Sequence, residues 1–592
     1  MQRESGWLQV DGRALFVHLH EPDPANRSGV TVLIVQGIGD DYFHGYRALR
    51  FLADCFAEAG HRCVRFDYSG CGHSLDNRIL ENVTPEEPEE MSFDVCSMWE
   101  QDVCQVTTWL RSHFSGERLC FVANRSGALF INTALRPEDD LILWGAEKTG
   151  RGWAREIRTL AALGQKSRGA EGFESGGIWF DNSTIAALSG YRLAPVNAPR
   201  RAVVLTRADR PGSADVLSDC AADVVSIVDG EYSECFREPH YALRPERACR
   251  SILQWVENHV TRQVLGRSIS ASPAVGDSGL LGRIQGSGWT EEVCRAGGLF
   301  GICTRKDAVH QKSSPVLLLS NAGSVHAVGP NRLNVDLARQ LASQDVTTLR
   351  YDLSNLGDSV CEGFAGERLL AEENHPYPSS ADHDISAVVQ WARTRGYSRV
   401  ILAGLCSGAY AAFDFARTHL AAKPDEVLMI NPLTFNWRAG MSLEIPSEYA
   451  TVAQGRAYQK AILDRSRWMR VLKGDVSLRN FILHLGRSVL DKSRVVARRI
   501  GVALHLLPEP QLARDLLRIA ATGTRIRFYF SSGEPGIDML GRAGRSSLEA
   551  LKKLHLMSVD FIAGADHTFR NQERRRELFS LIKRNIAHDP NV

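Results

Sequence analysis

Short apolar runs alternate with helix-spaced apolar positions along the whole chain. In the first half (residues 1–261), the apolar run 31–35 leads into a glycine loop and then into a helical pattern through Leu49, Leu52 and Phe56, and a second apolar run follows at 62–66. Apolar runs of this length are typical of buried strands, and their alternation with helices is typical of βαβ units. The pattern predicts an α/β fold in which helices flank a mostly parallel sheet.

The second half (residues 283–592) repeats this pattern. Residues 315–323 match 31–39, residues 348–359 match the segment ending at Ser74, and both halves continue with a helix that ends in a tryptophan. A chain of 592 residues is also too long for one core. We therefore predict two tandem modules, 1–261 and 283–592, joined by a Ser-, Ala- and Gly-rich linker at 262–282.

Composition excludes several classes of partner. The net charge of +1 provides no global attraction to nucleic acid or to a membrane surface, and no apolar run is long enough to span a bilayer. The thirteen cysteines form no C-x-x-C pair, which argues against a disulfide framework and a thiolate metal site. The first residues lack the apolar core of a secretion signal. We expect a cytoplasmic protein without a metal, a cofactor or a nucleic-acid partner.

A tight turn at 404–408 has the pattern G-x-C-x-G, between an apolar strand and a helix start. Such a turn strains its central residue, here Cys406, and presents its side chain at the mouth of the sheet. In the first half Arg125 aligns with Cys406. Because an arginine stays protonated, it cannot attack a carbonyl, and the first half is predicted to be a catalytically silent copy. A buried structural cysteine in the second half remains the alternative.

We call the central residue of this turn, Cys406 in the second half and Arg125 in the first, the apex. An acid and then a histidine follow the apex in each half. The first half carries Asp209 and Asp215 and then His240; the second carries Glu534 and Asp538 and then His567. With Cys406 in the place of serine, this order resembles the α/β-hydrolase superfamily and its G-x-S-x-G motif. More narrowly, residues 329–332, 352–354 and 404–410 resemble a bacterial group of serine-aminopeptidase-like hydrolases, some of them associated with exopolysaccharide or exosortase systems.

The resemblance implies a Cys-His-acid triad. A thiol attacks as the thiolate, which the positive end of the following helix would favour and His567 would generate by taking the proton. An acid on the far ring nitrogen fixes the tautomer of the histidine. Glu534 is favoured because it follows its strand directly, Asp538 is the second choice, and Asp566 is a weaker third.

The resemblance also implies where the oxyanion is held. Its donors would be the backbone N–H groups of Ser407 and of Ala322 or Asn321. His326 in the same loop is a candidate for a substrate contact, with a solvated or internally bonded loop histidine as the alternative. Ser407 is the alternative nucleophile, although its position one residue after the apex would turn its side chain away.

An insertion at about 438–523 separates an apolar strand from the acid strand and is rich in arginine and lysine. In the superfamily such an insertion is a helical lid. Its basic residues, among them Arg465, Arg467 and Arg470, would suit coenzyme A or a phosphopantetheinyl carrier protein, both of which are anionic. A solvated helix face is the competing interpretation.

A cysteine nucleophile favours exchange of acyl groups with thiols. The sequence therefore predicts an acyltransferase or thioesterase that acts on an acyl-thioester or ester. Hydrolysis of an ester, thioester or amide is the second hypothesis, and a scaffold in which both sites are silent is the third.

If the lid holds an anionic carrier, charge reversal at Arg465, Arg467 and Arg470 will raise the apparent KM for a coenzyme A or carrier-bound donor and weaken its salt dependence. A small neutral thioester is the control and should be unaffected. Equal effects on both donors, in steady-state kinetics, would favour the solvated face.

Overall fold

The structure, a computed structural model, describes residues 1–75, 95–163, 172–210, 217, 223–261, 278–306, 314–360, 374–441, 443, 509–543 and 545–587. Most of the predicted linker and most of the predicted lid lie outside the described residues. So do three predicted substrate contacts, Arg465, Arg467 and Arg470, and also Asp215.

The first half contains one large sheet and one small hairpin. Its strands are β1 Gln2–Val10, β2 Arg13–Glu21, β3 Val30–Val35, β4 Arg62–Phe66, β5 Arg118–Asn124, β6 Asp140–Trp144, β7 Gly172–Ser175, β8 Ile178–Asp181, β9 Arg201–Arg207 and β10 Asp223–Asp229. Within the described residues the sheet order is β1-β2-β4-β3-β5-β6-β9-β10, and β7 pairs only with β8. The pairs β1/β2 and β2/β4 are antiparallel and the others are parallel.

The second half contains a second large sheet. Its strands are β11 Arg283–Gly286, β12 Trp289–Ala296, β13 Leu299–Lys306, β14 Pro315–Leu319, β15 Thr347–Tyr351, β16 Arg399–Leu405, β17 Glu426–Ile430, β18 Arg525–Ser531 and β19 Met557–Ile562. They lie in the order β11-β12-β13-β15-β14-β16-β17-β18-β19. The pairs β11/β12, β12/β13 and β13/β15 are antiparallel, and the pairs from β15/β14 onward are parallel.

Helices cover both sheets. They are α1 Asp40–Glu58, α2 Val95–His113, α3 Gly150–Leu163, α4 Asn182–Gly190, α5 Tyr232–Cys235, α6 Glu246–His259, α7 Leu333–Ala342, α8 Ala381–Thr394, α9 Ser407–Thr418, α10 Gln511–Ala521, α11 Pro535–Arg542, α12 Arg545–Lys553 and α13 Gln572–Ala587. Short 3-10 helices occupy Pro24–Asn26, Arg125–Phe130 and Pro330–Arg332.

Each sheet is buried on both faces, which is why its central strands are apolar throughout. In β3, Leu33 belongs to the core cluster that contains Trp99 of α2, whereas Val32 belongs to the cluster that contains Leu52 of α1 on the other face. Successive side chains of a strand point to opposite faces, so an unbroken apolar run needs cover on both. The predicted α/β fold is confirmed, with the addition that both sheets are mixed.

The two large sheets share one strand order. Apart from β11 at the edge, the second sheet repeats the first strand by strand, with β12 in the place of β1 and β19 in the place of β10. With β11 set aside, both sheets therefore begin with two antiparallel pairs and continue with parallel pairs.

Buried ions connect the halves. Asp358 of the second half pairs with Arg65 of the first at 2.8 Å and lies 3.5 Å from His18 Nε2. Tyr46 of α1 also donates a hydrogen bond to Asp358. Burial is the largest influence on His18 and lowers its pKa well below 6.5, although Asp358 opposes it. The carboxylate of Asp358 thus balances the guanidinium of Arg65 within the contact.

A second group of buried charged residues lies beside Asp358 and Arg65. Glu291 pairs with Arg339 at 2.8 Å and with Arg350. Arg350 Nη1 donates to Nδ1 of His73, from the first half, at 2.9 Å. Burial and then the charge of Arg350 lower the pKa of His73 well below 6.5, so its ring is neutral and can accept this hydrogen bond.

Removing the carboxylate of Asp358 leaves Arg65 charged and buried. We expect Asp358→Asn to destabilise the full chain by about 3–5 kcal/mol, as measured by denaturant unfolding. The control is Glu138→Gln, since Glu138 is 4.0 Å from Arg136 and both side chains are exposed; its effect should stay within about 1 kcal/mol. Equal effects of the two substitutions would contradict the role of the buried pair.

Candidate active site

Cys406 stands at the turn between β16 and α9. Its φ of +59° and ψ of −113° are strained for a residue with a side chain. A Cβ on Gly404 would lie 2.3 Å from the backbone of Gly408, and one on Gly408 would lie 2.3 Å from the Asn321 carbonyl oxygen. Only glycine fits these two positions. The thiol remains partly exposed above the sheet.

His567 and Glu534 meet in front of this turn. Nδ1 of His567 lies 2.9 Å from Oε2 of Glu534, and Oε1 of Glu534 accepts a hydrogen bond from the Ser531 hydroxyl at 3.0 Å. Glu534 is 7% exposed and follows β18. A carboxylate at Nδ1 fixes the proton on that nitrogen, which leaves Nε2 for proton transfer on the side of Cys406.

The ring of His567 lies between the side chains of Cys406 and Glu534. Burial alone would lower its pKa, but the neighbouring Cys406 and Glu534 outweigh burial and raise the pKa well above 6.5. Nε2 makes no hydrogen bond of normal geometry to the described residues. An apo site often tightens such contacts only when the substrate binds.

The other two predicted acids occupy different positions. Asp538 lies in the first turn of α11, one helical turn beyond Glu534. Asp566 accepts a hydrogen bond from the backbone N–H of Arg570 at 2.8 Å. Nδ1 of His567 is already bonded to Glu534, so neither acid is needed to orient the ring.

The predicted oxyanion donors lie beside the thiol. Ser407 is the first residue of α9, where N–H groups have no partner within the helix. Its hydroxyl is 2.9 Å from the backbone N–H of Gly323, from which it accepts a hydrogen bond, so the side chain is turned away from the apex. Asn321 donates to Asp352 at 2.7 Å, which fixes the loop that carries Ala322.

His326 lies in the contact between the halves. The ring is 2% exposed, its Nε2 is 2.9 Å from the Tyr42 hydroxyl, and it stacks on Tyr46 at 3.7 Å. The predicted substrate contact has no support in this placement, because the ring is packed among aromatic side chains of α1. Burial lowers the pKa of His326 to about 3.

Two asparagines that sequence reasoning missed hold the His567 loop. Asn431, directly after β17, accepts from the Ser531 N–H at 2.8 Å and donates to the His567 carbonyl at 2.8 Å. Asn331 donates to the Thr568 carbonyl at 3.1 Å. The position of Asn431 at the end of a parallel strand was the available signal, since ligands and active sites gather at this edge.

Aromatic side chains form one wall near the thiol. Tyr377 stacks on Trp437 at 4.2 Å and meets Tyr410 edge-on at 5.5 Å. The Tyr410 N–H bonds to the Cys406 carbonyl, which places Tyr410 one helical turn after the apex. Burial, and then the neighbouring Cys406, raise the pKa of Tyr377. The wall offers an aromatic surface next to Cys406.

The corresponding place in the first half holds an ionic cluster. Arg125 also has a left-handed backbone, with φ of +49°, but its guanidinium pairs with Asp41 at 3.1 Å, with Glu156 at 2.8 Å and with Glu147. Three carboxylates around one guanidinium lock the side chain in place.

The acid and histidine of the first half do not meet. Asp209 pairs with Arg207 at 2.6 Å, and His240 lies against Tyr241 with ring centres 4.0 Å apart. Within the described part of the first half, these two residues do not form the pair that Glu534 and His567 make.

Comparisons with known proteins give low similarities. No protein-family model matches the sequence. No curated protein matches it either. A serine hydrolase without a lid from Xanthomonas campestris has 15% identity and a TM-score of 0.28, over 45% of this chain and 98% of that one.

Two other solved structures have similar coverage. Est1E from Butyrivibrio proteoclasticus, with bound ferulic acid, has 13% identity and a TM-score of 0.31, over 43% of this chain and 98% of that one. The α/β-hydrolase domain-containing protein 10 from mouse has 14% identity and a TM-score of 0.29, over 44% of this chain and 99% of that one. At these scores no assignment rests on them, and the function is argued from the chain's own residues.

Two kinds of feature are absent from the described ranges. No helix there is both long and apolar enough to cross a bilayer. No group of three or more His, Cys, Asp or Glu side chains there is arranged to hold a metal ion.

The raised pKa of His567 predicts a pH dependence. The charged ring contributes stability at low pH, and that contribution is lost as the pH rises through the raised pKa. Cys406→Ala removes the neighbouring sulfur, which raises the pKa of His567, but leaves the ring buried. The pKa of His567 should therefore fall, and the loss of stability should begin at a lower pH. NMR titration of the ring measures this, with Cys294→Ala as the control, and an unchanged titration in Cys406→Ala would contradict the coupling of the two side chains.

Proposed function

We propose that the protein is an acyl-transfer enzyme of the α/β-hydrolase type that works through an acyl-cysteine intermediate. The observation that carries the proposal is the alignment of Cys406, on a left-handed turn, with His567 and its 2.9 Å contact to Glu534. A strained apex, a histidine and a buried acid together match the requirements of nucleophilic catalysis.

The reaction has two steps, in which the acyl-cysteine is first formed and then cleaved. The Cys406 thiolate attacks the carbonyl carbon of an acyl-thioester or ester, and the oxyanion receives hydrogen bonds from the backbone N–H groups of Ser407 and Ala322. As the tetrahedral intermediate collapses, His567 gives its proton to the leaving thiol or alcohol. The neutral ring then takes a proton from the acceptor, which attacks the acyl-cysteine and releases the thiolate.

The choice of acceptor separates transfer from hydrolysis. When a thiol nucleophile exchanges an acyl group with a carrier thiol, one thioester replaces another and the bond energy changes little, which supports transfer. The aromatic wall of Tyr377, Tyr410 and Trp437 also excludes water from one side of the thioester. If water is the acceptor, the protein is a thioesterase or an ester hydrolase, which is the second candidate.

The organisation of the chain belongs to the same proposal. Equal strand orders and left-handed backbones at both Cys406 and Arg125 support a tandem duplication in which only the second copy kept the chemistry. The lid at 438–523, an anionic coenzyme A or carrier partner and a cytoplasmic location remain proposals from the sequence. So does the link to the exosortase-associated group.

Mass spectrometry of the intact chain tests the intermediate. After incubation with acyl-thioesters of graded length, we expect one acyl adduct on Cys406. Cys406→Ala should abolish it, and Ser407→Ala should retain it at a lower rate, because that hydroxyl only braces the Gly323 loop.

The acceptor assay follows from the same reaction. Release of the acyl group to an added thiol or amine faster than to water would establish transfer, and release to water alone would favour hydrolysis. An adduct that persists in Cys406→Ala or maps to Ser407 would overturn the assignment of the nucleophile.

A further inference from the structure

The hairpin β7–β8 of the first half extends to the active-site side of the second half. Oε1 of Glu174, in β7, accepts a hydrogen bond from Nη2 of Arg575, in α13, at 2.6 Å. Glu174 is 8% exposed and Arg575 is 2% exposed. A charge pair this deeply buried is costly to break, because either partner alone would be an uncompensated charge.

Arg575 in turn holds the loop that carries His567. Its Nη1 donates to the carbonyl oxygens of Phe569 at 3.0 Å and Arg570 at 3.1 Å. Phe569 has φ of +52°, a conformation that a bulky residue adopts only when its surroundings impose it. The guanidinium therefore fixes the backbone two and three residues after the histidine.

The turn of the hairpin contacts the same loop by a second route. Gly177 has φ of +86°, and a Cβ there would lie 2.6 Å from the Asn331 carbonyl oxygen. Asn331 donates to the carbonyl of Thr568, next to His567, at 3.1 Å. The hairpin thus supports the loop both through Arg575 and through the 330–332 turn.

The silent apex of the first half anchors this hairpin. The backbone N–H of Asp40 donates to the Ser175 hydroxyl at 3.1 Å, and the N–H of Gly176 donates to the Asp40 carboxylate at 3.1 Å. The next residue, Asp41, pairs with Arg125 at 3.1 Å. The ionic cluster at Arg125 therefore fixes the start of α1, to which the hairpin is bonded.

We propose that Glu174 of the first half is a positioning residue for the active site of the second half. It holds Arg575, and Arg575 holds the His567 loop so that the ring lies between Glu534 and Cys406. The first half, in whose described residues Asp209 and His240 do not meet, thereby contributes to the reactivity of the second half. This inference rests on the proposed function in that the reaction uses His567.

The test compares two carboxylate-to-amide changes in the full-length chain. Glu174→Gln removes the charge at the loop support, whereas Asp54→Asn removes a buried carboxylate that pairs with Arg3 at 2.9 Å and His20 at 2.8 Å, away from the hairpin. Both should lower the unfolding midpoint. Only Glu174→Gln should lower kcat and the rate of Cys406 alkylation by iodoacetamide, each by about tenfold. The KM should change by no more than about twofold.

The His567 titration provides a readout that does not depend on turnover. In Glu174→Gln it should move to lower pH, because a displaced ring interacts less with Cys406 and Glu534. Glu174→Asp, which restores the charge, should recover part of the alkylation rate. If Glu174→Gln changes stability alone, as Asp54→Asn does, the inference is wrong while the acyl-cysteine mechanism stands. If Cys406 forms no acyl adduct but the titration still moves, the mechanism fails and the support of the loop stands.

Discussion

The close approach of strand, helix and loop at the apex is the constraint on which the site depends. β16 passes into α9 through one residue with φ of +59° and ψ of −113°, a sparsely populated conformation that costs about 1–3 kcal/mol. Gly404 and Gly408 make this turn possible, because a Cβ at either would overlap backbone atoms 2.3 Å away. Arg125 also has a positive φ, of +49°, and its guanidinium lies among three carboxylates. A positive φ at this position therefore occurs in both halves.

The edge of the parallel strands explains why residues from distant segments converge. β16, β17, β18 and β19 are neighbours in the sheet, and their carboxyl ends carry Cys406, Asn431, Glu534 and the His567 loop. Since parallel strands end at one edge, the order of strands brings Cys406, Glu534 and His567 to the same edge of the sheet. Asn431 joins the last two loops, with hydrogen bonds of 2.8 Å to each.

Buried charge joins the two halves and makes their contact specific. Asp358 with Arg65 and Glu174 with Arg575 are each nearly excluded from solvent, and Arg350, which pairs with Glu291, donates to His73 of the first half. Such pairs contribute little net stability compared with apolar packing, but they tolerate only one relative arrangement of the halves. Of these contacts, the one between Glu174 and Arg575 reaches the His567 loop, through the hydrogen bonds of Arg575 to Phe569 and Arg570.

Local pattern in the sequence determined the α/β class and the repeated order of strands and helices, because these depend on the spacing of apolar residues. It also determined the strained turn at Cys406, because that turn depends on the positions of its glycines, and the order of acid and histidine after it. Tertiary structure decided which partners meet. It places Glu534, and not Asp538, at Nδ1 of His567, and it moves His326 into the contact between the halves. Glu174 and Arg575 are 401 positions apart, and only the packing of one folded half on the other brings such residues together.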